Sequence, residues 1–148
     1  MKLRELINEL FNGKHGEKLR FLVAGGFNTA VGYGLFALGL WLLTPVFAGI
    51  ENSYLIIQWI VWVIGVPIGA FTLKHFVFQV EGSYWRQALR AYLVYLPAQL
   101  VTFALLALFS TVMGLHPLLG QLFALSIAVV ISYLGHKYFT FKNVDKKD

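Results

Sequence analysis

Apolar residues run along this chain in long uninterrupted blocks, not in the alternation of a strand or the one-sided stripe of a water-soluble helix. Phe21 to Pro45 contains no charged side chain, and neither do Asn52 to Leu73, Ala91 to Leu115 and Pro117 to Gly135. Each block is close to the length of about 20 residues that carries a helix across a bilayer. Lipid offers the backbone no hydrogen-bond partner, so a span must be a helix or part of a closed barrel. The blocks lack period-two alternation and are too long for barrel strands. They predict four transmembrane helices, at about 19–44, 52–75, 88–113 and 117–138. The first block is too long for a cleaved signal peptide and has no small-residue cleavage pattern, so it is expected to stay as a signal anchor.

Ahead of the blocks, MKLRELINELFNG has a different pattern. Leu3, Leu6, Ile7, Leu10 and Phe11 recur at helical spacing, with charges on the other face. This predicts a short amphipathic helix lying on a membrane surface or packed on a partner protein, ended by Asn12 and Gly13. The expected organisation is an amphipathic segment over 1–17, a four-helix domain over 18–143 and a tail over 144–148.

Composition strengthens the membrane reading. Hydrophobic residues make up 58% of the 148, and charged residues only 13%. A soluble domain is nearer 45–50% and about 25%. The mean hydropathy is +0.69. With no cysteine, the chain has no disulfide, thiol nucleophile or cysteine metal site.

Charge adds a direction. Lys2, Arg4, Lys14, Lys18 and Arg20 precede the first block. Lys74, Arg86 and Arg90 flank the second connection, and Lys137, Lys142, Lys146 and Lys147 close the fourth block. All 12 basic residues therefore fall on one side, whereas the loops near 45–51 and 114–116 carry only Glu51 and His116. By the positive-inside rule both termini are cytoplasmic. The pI near 9.6 needs no nucleic acid to explain it, because orientation beside anionic lipid accounts for the charges.

An internal repeat follows. FTLKHFVFQV (71–80) and LGHKYFTFKN (134–143) superpose with an offset of 63, which aligns Lys74 with Lys137, Phe76 with Phe139 and Phe78 with Phe141. The chain reads as two helical hairpins of the same orientation, a parallel-repeat arrangement used by transporters. Aromatics and lysines at a membrane exit are also ordinary interfacial anchors.

The stretches RFLVAGGFNTAVGYGLFALGLWLL, GAFTLKHFVFQ and ISYLGHKYFTFK, in this order and at these span positions, resemble the GtrA-like family over about residues 18–143. Where members of that family often place an Asn before the basic exit residue, this chain has Leu73 and His136. The resemblance implies a small four-span inner-membrane protein whose partner is a polyprenyl-phosphate monosaccharide such as an undecaprenyl phosphate sugar. The implied activity is a flippase that moves this lipid to the outer leaflet for cell-surface polysaccharide glycosylation. The other role implied for the family is a membrane partner of a glycosyltransferase.

Such a lipid has three chemical needs. Its tail stays in the bilayer. Its phosphodiester needs cations, and Arg20, Lys74 and Lys137 are the candidates at one membrane depth, with Arg90 completing a ring. Snorkelling explains any one of them alone. Its sugar needs hydrogen-bonding groups inside the spans. Asn28, Tyr33, Gln99, Tyr133 and His136 are the candidates, beside Gln58, Tyr95, Thr72 and Ser132. Interhelical hydrogen bonding is the plainer role for each of these, and it is favoured for Thr72 and Ser132. Asn28 stands out because it lies about 8 residues, or ~12 Å, beyond Arg20 along a helix.

Gly25, Asn28, Gly32 and Gly39 share one helical stripe, and Gly26, Ala30 and Gly34 form another. Small residues at this spacing either admit a neighbouring helix or leave room for a ligand. Pro67 and Pro97 predict kinks in the second and third spans. No Asp, Glu or Arg lies mid-span, which argues against a proton-coupled carboxylate mechanism and for facilitated movement. Nor does the chain offer paired carboxylates, metal-ligand spacing or a phosphate loop. The expectation is a non-enzyme with no catalytic residue, metal or cofactor. Four spans are few for a closed path, which favours a homodimer.

Overall fold

The apolar blocks become helices because nothing else satisfies their backbone in lipid. The computed structural model describes residues 2–13 and 15–140, with side chains described as far as Ile131 apart from Lys14. Among the described residues five helices follow one another: α1 (Lys2–Asn12), α2 (Gly16–Leu43), α3 (Ser53–Thr72), α4 (Tyr84–Leu106) and α5 (Pro117–Thr140). α3 runs on as a π-helical turn over Leu73–Phe78, and α4 does the same over Ala107–Val112. Helices thus form where the apolar blocks predict them, with ends shifted by a few residues. No strand occurs among the described residues.

Gly16–Leu43, Ser53–Phe78 and Tyr84–Val112 are long and apolar enough to cross a membrane. In α5 the described apolar stretch is shorter, Pro117–Ile131. The long helices are inside-out relative to a soluble bundle. Large apolar side chains are widely exposed on them, such as Trp41 (76%) and Leu93 (74%), whereas Gln58 is only 3% exposed. An outward apolar surface of this kind belongs in lipid, so the chain is a multi-pass membrane protein.

Each long helix packs on two neighbours, in the order α2, α3, α4, α5 and back to α2. Packing on α2 and α3 is antiparallel: Asn28 meets Gly69, and Gly39 meets Ile57 and Val61. A Cβ at position 39 would lie 2.9 Å from Ile57 Cγ2 and 3.0 Å from Val61 Cγ2, so Gly39 sets this close approach. In the second hairpin the small residue has changed helix. There Gly120 of α5 receives Ser110, Leu106 and Phe109 of the α4 arm.

Pro67 lies inside α3 and has no N–H for the Val63 carbonyl one turn back. Tyr92 of α4 fills that gap, its Oη donating to Val63 O at 2.5 Å. Tyr84 Oη donates to Pro67 O at 2.7 Å. Two hydroxyls and the aromatic contacts Trp62–Tyr92 and Trp59–Phe103 therefore lace α3 to α4.

The tightest apolar packing sits at the end opposite the basic residues. Phe36, Ile57 and Leu106 are fully buried there, with Leu40, Leu43, Phe47 and Leu118 around them. Tyr54 Oη and Thr111 Oγ1 share a hydrogen bond at that end. α1 is joined to α2 by a corner in which Gly13 N–H donates to Glu9 O and Gly16 N–H to Gly13 O. A Cβ at position 16 would collide with the Phe11 carbonyl. The apolar face of α1 (Leu3, Leu6, Ile7, Leu10) is exposed.

Candidate functional site

Four helices line a partly open cavity of about 440 Å³. This is within the range of roughly 300–1,000 Å³ for small-molecule sites. Its walls are mostly apolar or aromatic, including Phe21, Phe36, Trp62 and Tyr95. Each of the four helices also contributes one carboxamide to the lining: Asn28 from α2, Gln58 from α3, Gln99 from α4 and Gln121 from α5. None of the lining residues among those described is charged.

The room comes from glycine. A Cβ at Gly25, Gly32 or Gly65 would meet nothing within 4 Å, and all three line the cavity. Gly39, on the same stripe of α2, does the opposite and seats a neighbouring helix. The second stripe, Gly26, Ala30 and Gly34, is exposed.

The amides are incompletely bonded. Gln58 Nε2 donates to Gln121 Oε1 at 3.3 Å. Asn28 Oδ1, Gln58 Oε1 and Gln99 Nε2 are buried without a protein partner. An unmet polar atom in an apolar interior costs about 1–3 kcal/mol. Three such atoms around one space are chemically suited to a ligand rich in hydroxyls.

Four hydroxyls are satisfied within their own helices. Thr29, Thr72, Thr102 and Ser126 each donate to the carbonyl one turn back in their own helix. For Thr72 this is an intrahelical bond in place of the expected interhelical one. Tyr33 Oη donates to Leu118 O at 3.0 Å, so its hydroxyl ties α2 to α5 while the residue lines the cavity.

Among the basic candidates, Arg20 is half-buried and its Nε has no partner. The next residue, Phe21, lines the cavity. Lys74 instead donates to the Gly82 carbonyl and closes the loop between α3 and α4. Arg90 is exposed on α4 and does not line the cavity. Lys137, Tyr133, His136 and Ser132 lie outside the residues whose side chains are described. Phe76 and Phe78 face outward, the disposition of interfacial anchors. His75 stays local, with Nδ1 3.1 Å from Phe71 O and its ring against the Phe71 ring.

Sequence reasoning picked out Asn28, Gln58 and Gln99 but missed Gln121. The signal was available, because the offset of 63 that aligns Lys74 with Lys137 also aligns Gln58 with Gln121.

Comparison with known proteins gives two matches. The family model described as GtrA/DPMS, transmembrane domain, matches residues 20–143. The cell wall teichoic acid glycosylation protein GtcA of Listeria innocua serovar 6a is 24% identical over 147 residues, covering 95% of this chain and 97% of that protein. No solved structure matches.

Proposed function

Because the chain belongs to the GtrA/DPMS transmembrane-domain family, we propose that it serves cell-surface glycosylation as a flippase for a polyprenyl-phosphate-linked monosaccharide. The sugar passes from the cytoplasmic to the outer leaflet of the inner membrane. One observation carries this reading: the apolar-walled cavity in which four helices each present a carboxamide and three polar atoms lack partners. Sugar hydroxyls match such groups, and an apolar molecule would leave them unmet. The match to a teichoic acid glycosylation protein supports a cell-wall polymer as the destination.

In this reading the chain spans the membrane four times with both termini cytoplasmic, as the one-sided lysines and arginines support. The lipid phosphate sits at Arg20, whose guanidinium grips phosphate through parallel N–H donors. About 8 residues further along α2, ~12 Å deeper, Asn28 meets the sugar. Lys137 and Arg90 add positive potential at that rim, while Lys74 holds the adjoining loop. The prenyl tail remains in lipid. No catalytic step is assigned, and consumption of the lipid in the outer leaflet gives the movement its direction.

The test is leaflet exchange. Purified protein in liposomes containing undecaprenyl phosphate glucose should accelerate the appearance of the sugar in the opposite leaflet. Asn28→Leu should abolish the acceleration while leaving helicity and insertion intact. Exchange no faster than in protein-free liposomes across several lipid compositions would remove the reading. A second reading, a scaffold for a glycosyltransferase, draws on the uncovered apolar face of α1. It requires that polar substitutions at Leu6, Ile7 and Leu10 abolish glycosylation in cells while Asn28→Leu does not.

A further inference from the structure

Gln58 and Gln121 are repeat counterparts, and in the fold they meet each other. They are 63 residues apart and joined by a 3.3 Å hydrogen bond. Both are buried, at 3% and 7% exposure, and both line the cavity. Ile57, next to Gln58, belongs to the fully buried apolar cluster with Phe36 and Leu106. The pair therefore lies where the polar cavity meets the apolar plug of the bundle.

A purely structural role explains this pair poorly. Two apolar side chains of similar volume would join α3 to α5 without desolvating two amides. The pair is also not self-sufficient, because Gln58 Oε1 is left without a partner. Asn28 Oδ1 and Gln99 Nε2 add a second open acceptor and an open donor. A sugar hydroxyl both donates and accepts, so it answers either kind of group. A carboxylate only accepts and an ammonium only donates. Among the described residues neither finds an opposite charge on the cavity wall. Against this described lining a charged headgroup carries a desolvation cost that no facing charge offsets.

We propose that the Gln58–Gln121 pair forms the floor of the headgroup subsite and makes it selective for an uncharged polyol. This rests on the reading of the cavity as a sugar site. It adds the residues that set selectivity and the chemical class they reject.

The experiment measures binding to the full chain in nanodiscs, by the fluorescence of the protein's tryptophans, of which Trp62 lines the cavity. The probes are undecaprenyl phosphate bearing glucose, glucuronate, glucosamine or no sugar. The natural chain should bind the glucose lipid at least tenfold more tightly than either charged one. Gln58→Glu and Gln121→Glu should each raise the preference for the glucosamine lipid over the glucose lipid at least tenfold. The double variant Gln58→Leu/Gln121→Leu should bind the glucose lipid no better than the bare lipid, with bare-lipid affinity unchanged. Equal binding of charged and uncharged headgroups by the natural chain would overturn the proposal. So would glucose-lipid binding by the double variant at the natural level. If the double variant fails to fold, the headgroup comparison on the natural chain decides. If no sugar lipid outbinds the bare lipid in the natural chain, the sugar-site reading falls first and takes the selectivity with it.

Discussion

Tyr92→Phe is a small change with a defined expected cost. It deletes one oxygen and keeps the ring that packs edge-on to Trp62, with centroids 5.3 Å apart. The lost hydroxyl donates to the Val63 carbonyl, whose intrahelical donor is absent because residue 67 is proline. Interhelical hydrogen bonds in membranes contribute on average about 0.6 kcal/mol and at most about 1.7, because the unfolded state in the membrane finds other partners. A carbonyl with no alternative donor sits at the top of that range. Tyr92→Phe should therefore cost about 1.5 kcal/mol, roughly a tenfold shift in the folded-to-unfolded ratio. Pro67→Ala supplies the missing N–H. In that background the same substitution should cost about 0.5 kcal/mol, a coupling of about 1 kcal/mol. Unfolding in mixed detergent micelles with rising dodecyl sulfate, followed by circular dichroism, measures all four members of the cycle. Costs that add to within about 0.3 kcal/mol would refute the idea that Tyr92 replaces the donor proline removed.

Other substitutions probe packing and charge. Gly39→Leu drives a side chain into Ile57 and Val61 and should destabilise by about 1–3 kcal/mol in the same micelle assay, with partial rescue by Ile57→Ala. Gly16→Ala should open the α1–α2 corner, because its methyl meets the Phe11 carbonyl; faster proteolysis near residues 11–18, with the spans unchanged, is the expected readout. Arg20→Ala should weaken binding of bare undecaprenyl phosphate more than Arg20→Lys does, since Lys keeps the charge but loses the planar fork. Equal loss in the two variants would assign Arg20 to orientation in the membrane instead.

Much of the architecture was legible because lipid leaves few choices. Charge-free runs of about 20 residues gave the long helices to within a few positions. The amphipathic spacing and Asn12-Gly13 marked α1 with its end. Helix rotation was harder to read. In a helix that is apolar on every side, periodicity no longer says which face turns inward, so only isolated polar residues report it. Asn28, Gln58 and Gln99 reported it correctly, since an amide facing lipid would be costly. Thr72 was ambiguous because a hydroxyl can satisfy itself on its own helix. The π-helical turns at 73–78 and 107–112 have no local signature in the sequence. Convergence of the cations was read from depth alone. Depth does not say what a flexible lysine will bond, and Lys74 found a loop carbonyl.

Positions 57 and 120 are separated by the same offset of 63 that aligns Lys74 with Lys137, but carry Ile and Gly. In the first hairpin the isoleucine rests over Gly39; in the second the glycine accepts Ser110 and Leu106. Each hairpin thus closes on a glycine of its own, carried by the first helix in one half and by the second helix in the other. A larger side chain at either position pries apart the hairpin that holds it, so the two closures can be loosened separately.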